Sequence, residues 1–305
     1  MRILIAGGSG FLGTHLTAAL TAAGNDVSIL SRRAGPDSSG RQGGVRTIAW
    51  VPDGATGPWC RACGPIDAVI NLAGASIGDG RWSPSRKAEL VSTRINATRS
   101  LTRFIEQASP RPPLLINASA IGVYGDRGDD VLTEDATTGS DFLASLCRGW
   151  EDEARRAQGT ETRVVLLRTG LVLDPLGGAL PKMLLPFRLF AGGPFGSGRQ
   201  YMSWIHRDDW VALVVWLLSA HAVGGPVNAT APHPVTNAEF VRTLGRVLHR
   251  PSWLPAPAFA LKLVLGEMAG PLLLFSQRVV PESASRAGFT FAHPVLEGAL
   301  ANLLT

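Results

Sequence analysis

The feature that most constrains the fold is a glycine-rich turn at residues 6–13, Ala-Gly-Gly-Ser-Gly-Phe-Leu-Gly. It lies between a short apolar run, Arg2–Ala6, and a stretch with helical spacing at residues 11–23. An apolar run that ends in glycines is typical of a buried parallel strand. A strand, a glycine turn and a helix in this order predict the first unit of a parallel α/β sheet.

The same turn predicts a dinucleotide site. We expect Gly7 to make the tight turn, Gly10 to let the backbone approach a pyrophosphate, and Gly13 to let helix and strand pack closely. The N-terminus of the helix would add amide donors and a positive dipole. The residues expected at the pyrophosphate all belong to this turn: Gly7, Ser9, Gly10, Phe11, Leu12 and Gly13.

The end of the second predicted strand, residues 27–30, indicates which dinucleotide is bound. An NAD site has an acidic residue here for the ribose 2′-hydroxyl. This chain has Ser31, Arg32 and Arg33 instead, and its nearest acid, Asp26, comes before the strand. A hydroxyl beside a guanidinium suits a 2′-phosphate. We therefore expect NADP(H), bound by Ser31 and Arg32; the alternative is a solvated arginine pair.

Strands alternate with helices up to about residue 175. The later predicted strands are 67–72, 114–117 and 163–167, and the later helices are 85–107 and 142–157. The alternation predicts an α/β, Rossmann-like, doubly wound parallel sheet. Residues 34–65 are expected to form a loop-rich excursion. We predict an NADP(H)-binding domain at 1–175, completed by parts of 204–230, and a smaller C-terminal α/β lobe at 176–305 that covers the substrate.

Composition excludes several classes of protein. Hydrophobic residues make up 45% and charged residues 17% of the chain, which excludes a largely disordered protein. The net charge is +5, but the basic residues form no tract, so we expect no nucleic-acid partner. No apolar segment is long enough to predict a membrane span, and the opening strand leaves no room for a signal peptide. We expect a cytoplasmic protein.

The cysteines indicate neither a metal site nor a disulfide framework. Cys60 and Cys63 have CxxC spacing, but the only other cysteine is Cys147, so a second ligand pair is missing. We therefore expect free thiols and no metal.

Further segments carry a family resemblance. They are Asp-Ala-Val-Ile-Asn-Leu-Ala-Gly-Ala at 67–75, Arg-Trp at 81–82, Ser-Thr-Arg at 92–94, Ser-Ala-Ile-Gly-Val-Tyr-Gly at 119–125, Trp-Glu at 150–151, Gly-Ser-Gly-Arg-Gln-Tyr-Met-Ser-Trp-Ile-His at 196–206 and Leu-Gly-Glu-Met at 265–268. With the glycine turn, they resemble the extended short-chain dehydrogenase/reductases, and among them the atypical "epimerase family protein" subgroup with a C-terminal domain of unknown function. The resemblance covers essentially the whole chain. It implies an NADP(H) site and two lobes, but no particular substrate.

The resemblance also implies further cofactor contacts. Leu72 and Ala73, at a strand end, would line the adenosine or ribose side. Arg94 falls where many members place a cofactor-facing asparagine. Glu89 would pair with Arg94 or contact the cofactor, the alternative being an exposed helix pair. The backbone after Arg168 would abut the nicotinamide, with Arg168 itself as a possible structural anchor. Two residues of that backbone are expected in the site: Gly170 and Val172.

The family's proton-transfer pair is missing. Members of the family use the tyrosine of a YxxxK pair, in which the lysine lowers the pKa of the phenol. The chain has 2 tyrosines; four residues after Tyr124 is Gly128, and four after Tyr201 is Ile205. In the region where the resemblance would place the catalytic tyrosine, the chain has Phe142 and Leu143, neither of which can exchange a proton. Proton transfer must therefore use another group.

Other side chains remain as candidates. Those for proton transfer are Ser119, Tyr124 and His206. Ser119 sits at a strand end where a ligand is expected, although it would also cap the following turn. A histidine titrates near neutrality, although His206 would also suit a structural hydrogen bond. Those expected to bind the substrate are Arg199, Tyr201 and Trp204, with Lys182 as a further possibility.

These features favour an NADP(H)-dependent oxidoreductase that acts on a small carbonyl or hydroxyl substrate. One alternative is an NADP(H)-binding regulatory protein without catalysis, because relatives that resemble this chain have been linked to bacterial and plastid division. The other alternative is a sugar-nucleotide epimerase, which the missing proton acceptor disfavours. We expect a small-molecule substrate as the partner and a monomer or a homodimer.

Overall fold

The computed structural model describes residues 1–33 and 41–304. Its strands, in chain order, are β1 (Arg2–Ala6), β2 (Asp26–Ser31), β3 (Arg41–Gln42), β4 (Val45–Ala49), β5 (Ala68–Asn71), β6 (Leu114–Ala120), β7 (Val131–Leu132), β8 (Arg163–Thr169), β9 (Leu171–Leu173), β10 (Tyr201–Met202), β11 (Trp204–His206), β12 (Gly225–Ala229), β13 (Val235–Thr236) and β14 (Arg278–Val279). Its α-helices are α1 (Phe11–Ala22), α2 (Pro58–Cys63), α3 (Pro84–Gln107), α4 (Phe142–Arg155), α5 (Leu180–Arg188), α6 (Arg207–Ser219), α7 (Asn237–Leu248), α8 (Ala258–Leu265), α9 (Glu282–Arg286) and α10 (Leu296–Leu304).

An eight-stranded sheet in the order β12-β8-β6-β5-β1-β2-β4-β3 forms the centre of the molecule. All of its neighbouring strands are parallel except the edge pair β3–β4. The chain runs outward from β1 in both directions, so the strand order reverses between β1 and β5. In open α/β sheets, a ligand binds at the carboxyl ends of the strands at this reversal. The expected Rossmann-like α/β fold is confirmed.

Helices cover both faces of the sheet because its strands alternate their apolar side chains between two cores. Ile3 and Ile5 of β1 face a core that includes Leu16 of α1 and Trp210 of α6. Leu4 faces the opposite core, which includes residues of α2 and α3. Burial on both faces explains why the strands are continuous apolar runs.

Local signals start the two long helices on that second face. Ser83 caps α3 by accepting a hydrogen bond from the amide of Arg86, and Pro84 occupies its first turn. Asp141 caps α4 by accepting from the amides of Leu143 and Ala144. Both helix starts therefore lie at the same edge of the sheet as the carboxyl ends of the strands.

The C-terminal part has a core of its own and also returns to the sheet. Residues of α5, α7 and α10 form a separate apolar cluster. In contrast, α6 packs on the first core, and β12 pairs with β8 to complete the sheet. Later, β14 pairs with β7, and Ala284 of α9 joins the first core. Within the described residues, no helix is both long and apolar enough to cross a bilayer.

Candidate functional site

Close backbone contacts fix the glycine turn at the carboxyl end of β1. Gly7 has φ +83°, and a Cβ there would lie 2.8 Å from the carbonyl carbon and oxygen of Leu72. A Cβ on Gly13 would lie 2.1 Å from the Gly7 carbonyl oxygen, so only glycine lets α1 start this close to the sheet. Gly8, which sequence reasoning did not single out, is pressed against the Ile29 side chain in the same way. The turn therefore has the close packing that a pyrophosphate cradle needs.

The N-terminus of α1 offers donors without competition from its own side chains. Gly10 caps the helix without a side-chain hydrogen bond, and no acidic residue lies in the first turn. The Phe11 ring lies beneath a second glycine turn, since a Cβ on Gly177 would be 2.2 Å from it. The buried Asp174 carboxylate holds this arrangement together, with His15 of α1 at 3.1 Å and Arg207 at 3.0 Å. The helix start is thus fixed from two sides.

The end of β5 forms the opposite wall of the cradle. The Asn71 side chain donates to Thr98 Oγ1 at 2.9 Å and to Asn117 Oδ1 at 2.7 Å, and it accepts from the Ala73 amide at 3.1 Å. This buried network fixes the backbone of Leu72 and Ala73 against the glycine turn. Sequence reasoning missed Asn71, although the quoted Asn-Leu-Ala-Gly segment contains it.

Arg94 is the most informative side chain at this edge. Its guanidinium packs against Gly74, where a Cβ would lie 3.1 Å from the guanidinium carbon, and lies over the Trp150 ring at 5.1 Å. One terminal nitrogen donates to the Leu90 carbonyl at 3.1 Å, whereas the buried Nε has no partner. Burial lowers the pKa of the Arg94 guanidinium. Among the described residues no carboxylate pairs with this charge, so the site suits an anionic ligand.

Glu89 does not pair with Arg94, which corrects that expectation. It pairs with Arg86, one helical turn earlier, at 2.6 Å. Arg86 also donates to the Ser76 carbonyl, in the loop that follows β5. A spacing of three residues places two side chains on one helix face, whereas a spacing of five does not. Glu89 therefore orients the loop rather than neutralising Arg94.

The residues expected at the 2′-phosphate lie at the next strand end. Ser31 closes β2, and its hydroxyl accepts from the Arg33 amide at 3.2 Å. The side chains of Arg32 and Arg33 are exposed. Two exposed cations at the carboxyl edge can reach a phosphate outside the sheet, and no described carboxylate pairs with either of them.

Ser119 and Tyr124 lie inside the protein rather than in a cleft. Ser119 Oγ donates to Glu151 at 2.7 Å, and Glu151 receives Arg168 Nε at 2.8 Å. Arg168 also donates to the Tyr124 hydroxyl at 3.0 Å, and that hydroxyl donates to Asn228 at 2.7 Å. Burial raises the pKa of Tyr124. These hydroxyls complete a buried structural network, which argues against their role as proton donors.

Arg168 is the anchor of that network. Burial alone would lower its pKa, but the hydrogen bonds that Arg168 donates to Glu151 raise the pKa above its ordinary value. A buried arginine with a two-point carboxylate contact keeps its charge and ties β8 to α4. The structure thus supports the anchor role over a direct role at the cofactor.

His206 is also structural. It caps α6, where its Nδ1 accepts from the Asp208 amide at 3.0 Å, and its Nε2 lies 3.1 Å from Asn302 Oδ1. Burial, and next the proximity of His293, lower the pKa of His206. Both ring nitrogens are occupied, and the neutral ring is favoured. His206 is therefore not placed to exchange a proton with a substrate.

Among the described residues, one cluster has the side-chain types of a metal site: His206, Asp208 and His293. The two imidazoles are stacked, with centroids 3.8 Å apart and planes at 24°. A metal ligand must point its in-plane lone pair at the ion, and stacked rings cannot both do so. We assign no metal here.

In the region where the family resemblance would place the proton-transfer tyrosine, the ring of Phe142 is half-buried and lines a pocket with Lys262 and Phe275, whereas Leu143 is buried. Trp82 packs against the Phe142 ring at 5.2 Å, and the Lys87 ammonium lies 5.0 Å from the centre of that ring. Lys87 in turn pairs with Glu267 of the C-terminal part. Neither Phe142 nor Leu143 carries an exchangeable proton.

The residues expected to bind the substrate are not all available. Trp204 is fully buried and donates to the His233 carbonyl at 3.2 Å, because it belongs to the core of the C-terminal part. That expectation is wrong. Tyr201 is half-buried beneath the Arg278 guanidinium at 4.8 Å, whereas Arg199 is exposed. Arg199, Tyr201 and the further candidate Lys182 keep accessible surface.

The remaining predicted residues at this edge, Gly170, Val172 and Lys182, make packing or linking contacts. Gly170 packs against the Ser203 carbonyl, where a Cβ would approach to 2.5 Å, so its small size serves strand packing. Val172 pairs with Ile205 between β9 and β11. Lys182 donates to the Gly78 carbonyl at 3.2 Å and thereby links α5 to the loop after β5.

The cysteine pair lies away from this edge. Cys60 and Cys63 are free thiols in α2, and Cys63 donates to the Trp59 carbonyl. Burial raises the pKa of Cys63 to about 12, so the thiolate is disfavoured.

Comparison with known proteins gives a consistent result over the whole length. The NAD dependent epimerase/dehydratase family matches residues 3–229, and a domain of unknown function matches residues 256–303. The chain is 42% identical over 305 residues to the epimerase family protein YfhF of Bacillus subtilis, covering 100% of this chain and 98% of that protein. The structure is similar to the crystal structure of human epimerase family protein SDR39U1 with NADPH, with a TM-score of 0.90, 36% identity and 99% coverage of both chains.

A nucleoside-diphosphate sugar epimerase from Corynebacterium glutamicum is also similar. The TM-score is 0.76 and the identity 32%, and the match covers 99% of this chain but 57% of that one. The lower coverage means that the Corynebacterium protein contains a large part with no counterpart here.

Proposed function

This chain belongs to the NAD-dependent epimerase/dehydratase family, and we propose that it is an NADP(H)-dependent oxidoreductase of the atypical extended short-chain type. Its substrate would be a small carbonyl or hydroxyl compound. The observation that carries the proposal is the buried guanidinium of Arg94, which has an unpartnered Nε beside the end of β5. The human relative of the same fold was crystallised with NADPH.

The residues present fit this cofactor. The backbone packs so closely at Gly7 and Gly13 that neither position can carry a Cβ, and the first turn of α1 has no acidic side chain. These features suit a pyrophosphate. Arg94 would supply a charge-assisted hydrogen bond to an anionic part of the cofactor, and Arg32 with Ser31 would hold the 2′-phosphate.

The chain's own residues would then position the reactants. When bound, NADPH supplies a hydride from its nicotinamide ring. Arg94 and the Leu72–Ala73 backbone would hold the cofactor. Because Ser119 and Tyr124 are engaged in the buried network, we propose that solvent delivers the proton to the substrate oxygen.

The first experiment measures binding and the second turnover. We expect NADPH to bind more tightly than NADH, and Arg32→Ala to remove that preference. The matched control is Arg111→Ala, an equal loss of charge at an exposed residue before β6, at the opposite edge of the sheet; it should leave the preference intact. Pure protein should then oxidise NADPH with members of a carbonyl library.

A second candidate function is an NADPH-binding regulatory protein without catalysis. The pair Phe142 and Leu143 favours it, because neither residue in the region of the expected proton donor carries an exchangeable proton. This candidate predicts NADPH binding with no oxidation by any member of the library. A sugar-nucleotide epimerase gains less support. Epimerisation needs a protein group that accepts a proton from a substrate hydroxyl, and the candidates Ser119 and Tyr124 are buried.

Two further expectations remain proposals. We propose an NADP(H)-binding domain at 1–175, completed by parts of 204–230, with 176–305 as the lobe that covers the substrate; the separate apolar cluster of α5, α7 and α10 supports it. We also propose a cytoplasmic location, which the free thiols support.

A further inference from the structure

Two helices of the C-terminal part expose apolar side chains in pairs. In α8 no residue is buried, and Phe259 and Leu263 are 74% and 76% exposed. In α5, Leu185 is 57% exposed, and Leu189 at the helix end is 70% exposed. Each pair is spaced by four residues and therefore lies on one helix face. Clusters of exposed apolar side chains commonly mark a binding site on a protein surface. We call these four side chains the apolar mouth.

Both helices are attached to the loop that follows β5, at the cofactor edge. Lys182 of α5 donates to the Gly78 carbonyl at 3.2 Å. Three residues further along the loop, Arg81 donates to the Leu263 carbonyl of α8 at 2.7 Å. The two helices of the apolar mouth thus contact the same short loop. The contact residues of this loop follow Gly74, which packs against Arg94, by at most seven positions.

Partly buried apolar residues connect the end of α8 with the loop that follows β5. Leu265, at the end of that helix, packs in one cluster with Ile77 of the loop and with Ala75, the residue after Gly74. Phe142 and Trp82 belong to the same cluster. An apolar chain lying on α8 would therefore meet apolar contacts up to the proposed nicotinamide end of the cleft.

The charges on the two helices have one sign. The only charged residues of α5 are Lys182 and Arg188, and the only one of α8 is Lys262. Lys182 lies 3.9 Å from Asp79, a pair that is exposed on both sides, and no described carboxylate pairs with Arg188 or Lys262. A cationic rim around an apolar surface is complementary to a molecule that carries both an apolar chain and a negative charge.

We propose that the apolar mouth binds long-chain anionic amphiphiles from solution and guides them towards the cofactor cleft. This inference rests on the proposed function, and it narrows the substrate class to carbonyl or hydroxyl compounds with an extended apolar chain and an acidic group. Apolar contacts with α5 and α8 hold the chain, and Lys262 and Arg188 attract the acidic group.

The test uses the full protein and a fluorescent fatty acid, 11-(dansylamino)undecanoic acid. We expect the probe to bind in the absence of NADPH, with blue-shifted emission. The double variant Phe259→Ser/Leu263→Ser should weaken binding at least tenfold, and Lys262→Ala a few-fold. The methyl ester of the probe should bind more weakly than the acid, because it lacks the charge.

The control variant is Val295→Ser, an exposed apolar residue before α10; it should leave probe binding unchanged. Because α8 buries no residue, the double variant should also keep the melting temperature of the wild type. NADPH binding is measured on the same samples. If the wild-type protein binds NADPH but not the probe, the apolar mouth alone is overturned; if it binds the probe but not NADPH, the proposed function alone is overturned.

Two other occupants of this surface would contradict the proposal. If light scattering shows a dimer that Phe259→Ser/Leu263→Ser converts to a monomer, a second copy covers α8. If the probe fails to bind but the protein sediments with phosphatidylglycerol vesicles and not with phosphatidylcholine vesicles, the surface meets a membrane. Absence of probe binding under all conditions also refutes the proposal.

Discussion

Replacement of Arg94 by methionine separates a ligand-binding role from a structural one. Methionine keeps an unbranched apolar stem similar to that of arginine but removes the charged guanidinium. In a residue that stabilises the fold, this change lowers the free energy of unfolding. In a residue that binds an anionic ligand, the change lowers the affinity for the ligand instead, and the free energy of unfolding of the free protein stays nearly the same.

The magnitudes follow from the contacts of Arg94. The variant loses a cation–π contact with Trp150 and a hydrogen bond to the Leu90 carbonyl, each worth about 1 kcal/mol. It also relieves the buried, unpartnered Nε, which costs about 1–3 kcal/mol. The free energy of unfolding should therefore stay within about 1 kcal/mol of the wild type. A lost charge-assisted contact of about 1.5–3 kcal/mol should weaken NADPH binding roughly 10- to 150-fold.

The assay compares Arg94→Met with Arg99→Met, an arginine on the same helix that pairs with the buried Glu153 at 3.1 Å. Denaturant unfolding and NADPH titration are measured for both variants. We expect Arg94→Met to lose affinity but not stability, and Arg99→Met to lose stability but not affinity. If Arg94→Met binds NADPH within twofold of the wild type, Arg94 is not a ligand residue and the reasoning fails.

Three further changes test separate parts of the structure. Gly13→Ala should lower the melting temperature and abolish NADPH binding, because its Cβ would lie 2.1 Å from a carbonyl oxygen of the glycine turn; a variant that binds normally would show that the turn can relax. Glu151→Gln should cost about 3–5 kcal/mol in urea unfolding, since it leaves the Arg168 charge buried without its carboxylate; a loss below about 1 kcal/mol would contradict this. Burial lowers the pKa of His206. As the pH falls, His206 is therefore protonated in the unfolded chain before it is protonated in the folded protein. The stabilisation is complete above an unfolded pKa of about 6.5 and is lost as the pH falls through the lower folded value. His206→Asn should therefore reduce the loss of stability between about pH 7 and about pH 5; an unchanged pH profile would assign that loss to other groups.

The sequence predicts the central strands and the glycine turn because their signals are local. β1 is an unbroken apolar run, and Gly7 adopts the positive φ that the turn requires. The sequence does not predict β4 and β12, because their local strand signals are weak. β12 contains Pro226, and β4 contains the polar residues Arg46 and Thr47. These two segments form strands because they pair with β8 and β2, respectively.

The candidate site could be predicted only in part, since the partners of a side chain are a tertiary property. Ser119 lies at the strand end where a catalytic hydroxyl is expected, but its partner Glu151 comes from another helix, 32 residues later. Tyr124 is bonded to Asn228, 104 residues away. The missing partner of Arg94 likewise becomes visible only when all its neighbours are in place.

The same limit explains the error at Trp204. The surrounding segment contains both Arg199 and Tyr201, and its mixture of aromatic and basic residues suggests a binding surface. In the structure β11 runs into the core of the C-terminal part, and Trp204 points inward with its indole nitrogen bonded to a carbonyl. All three residues of β11 are buried, so this strand leaves no side chain accessible to a substrate.

The central claim is that the glycine turn and the arginines near it bind NADP(H). Isothermal titration calorimetry of the pure protein with NADPH and with NADH tests it most directly. The account predicts one site per chain and an affinity for NADPH at least tenfold higher than for NADH. Absence of heat with both coenzymes, confirmed by an unchanged melting temperature at saturating concentration, would contradict it.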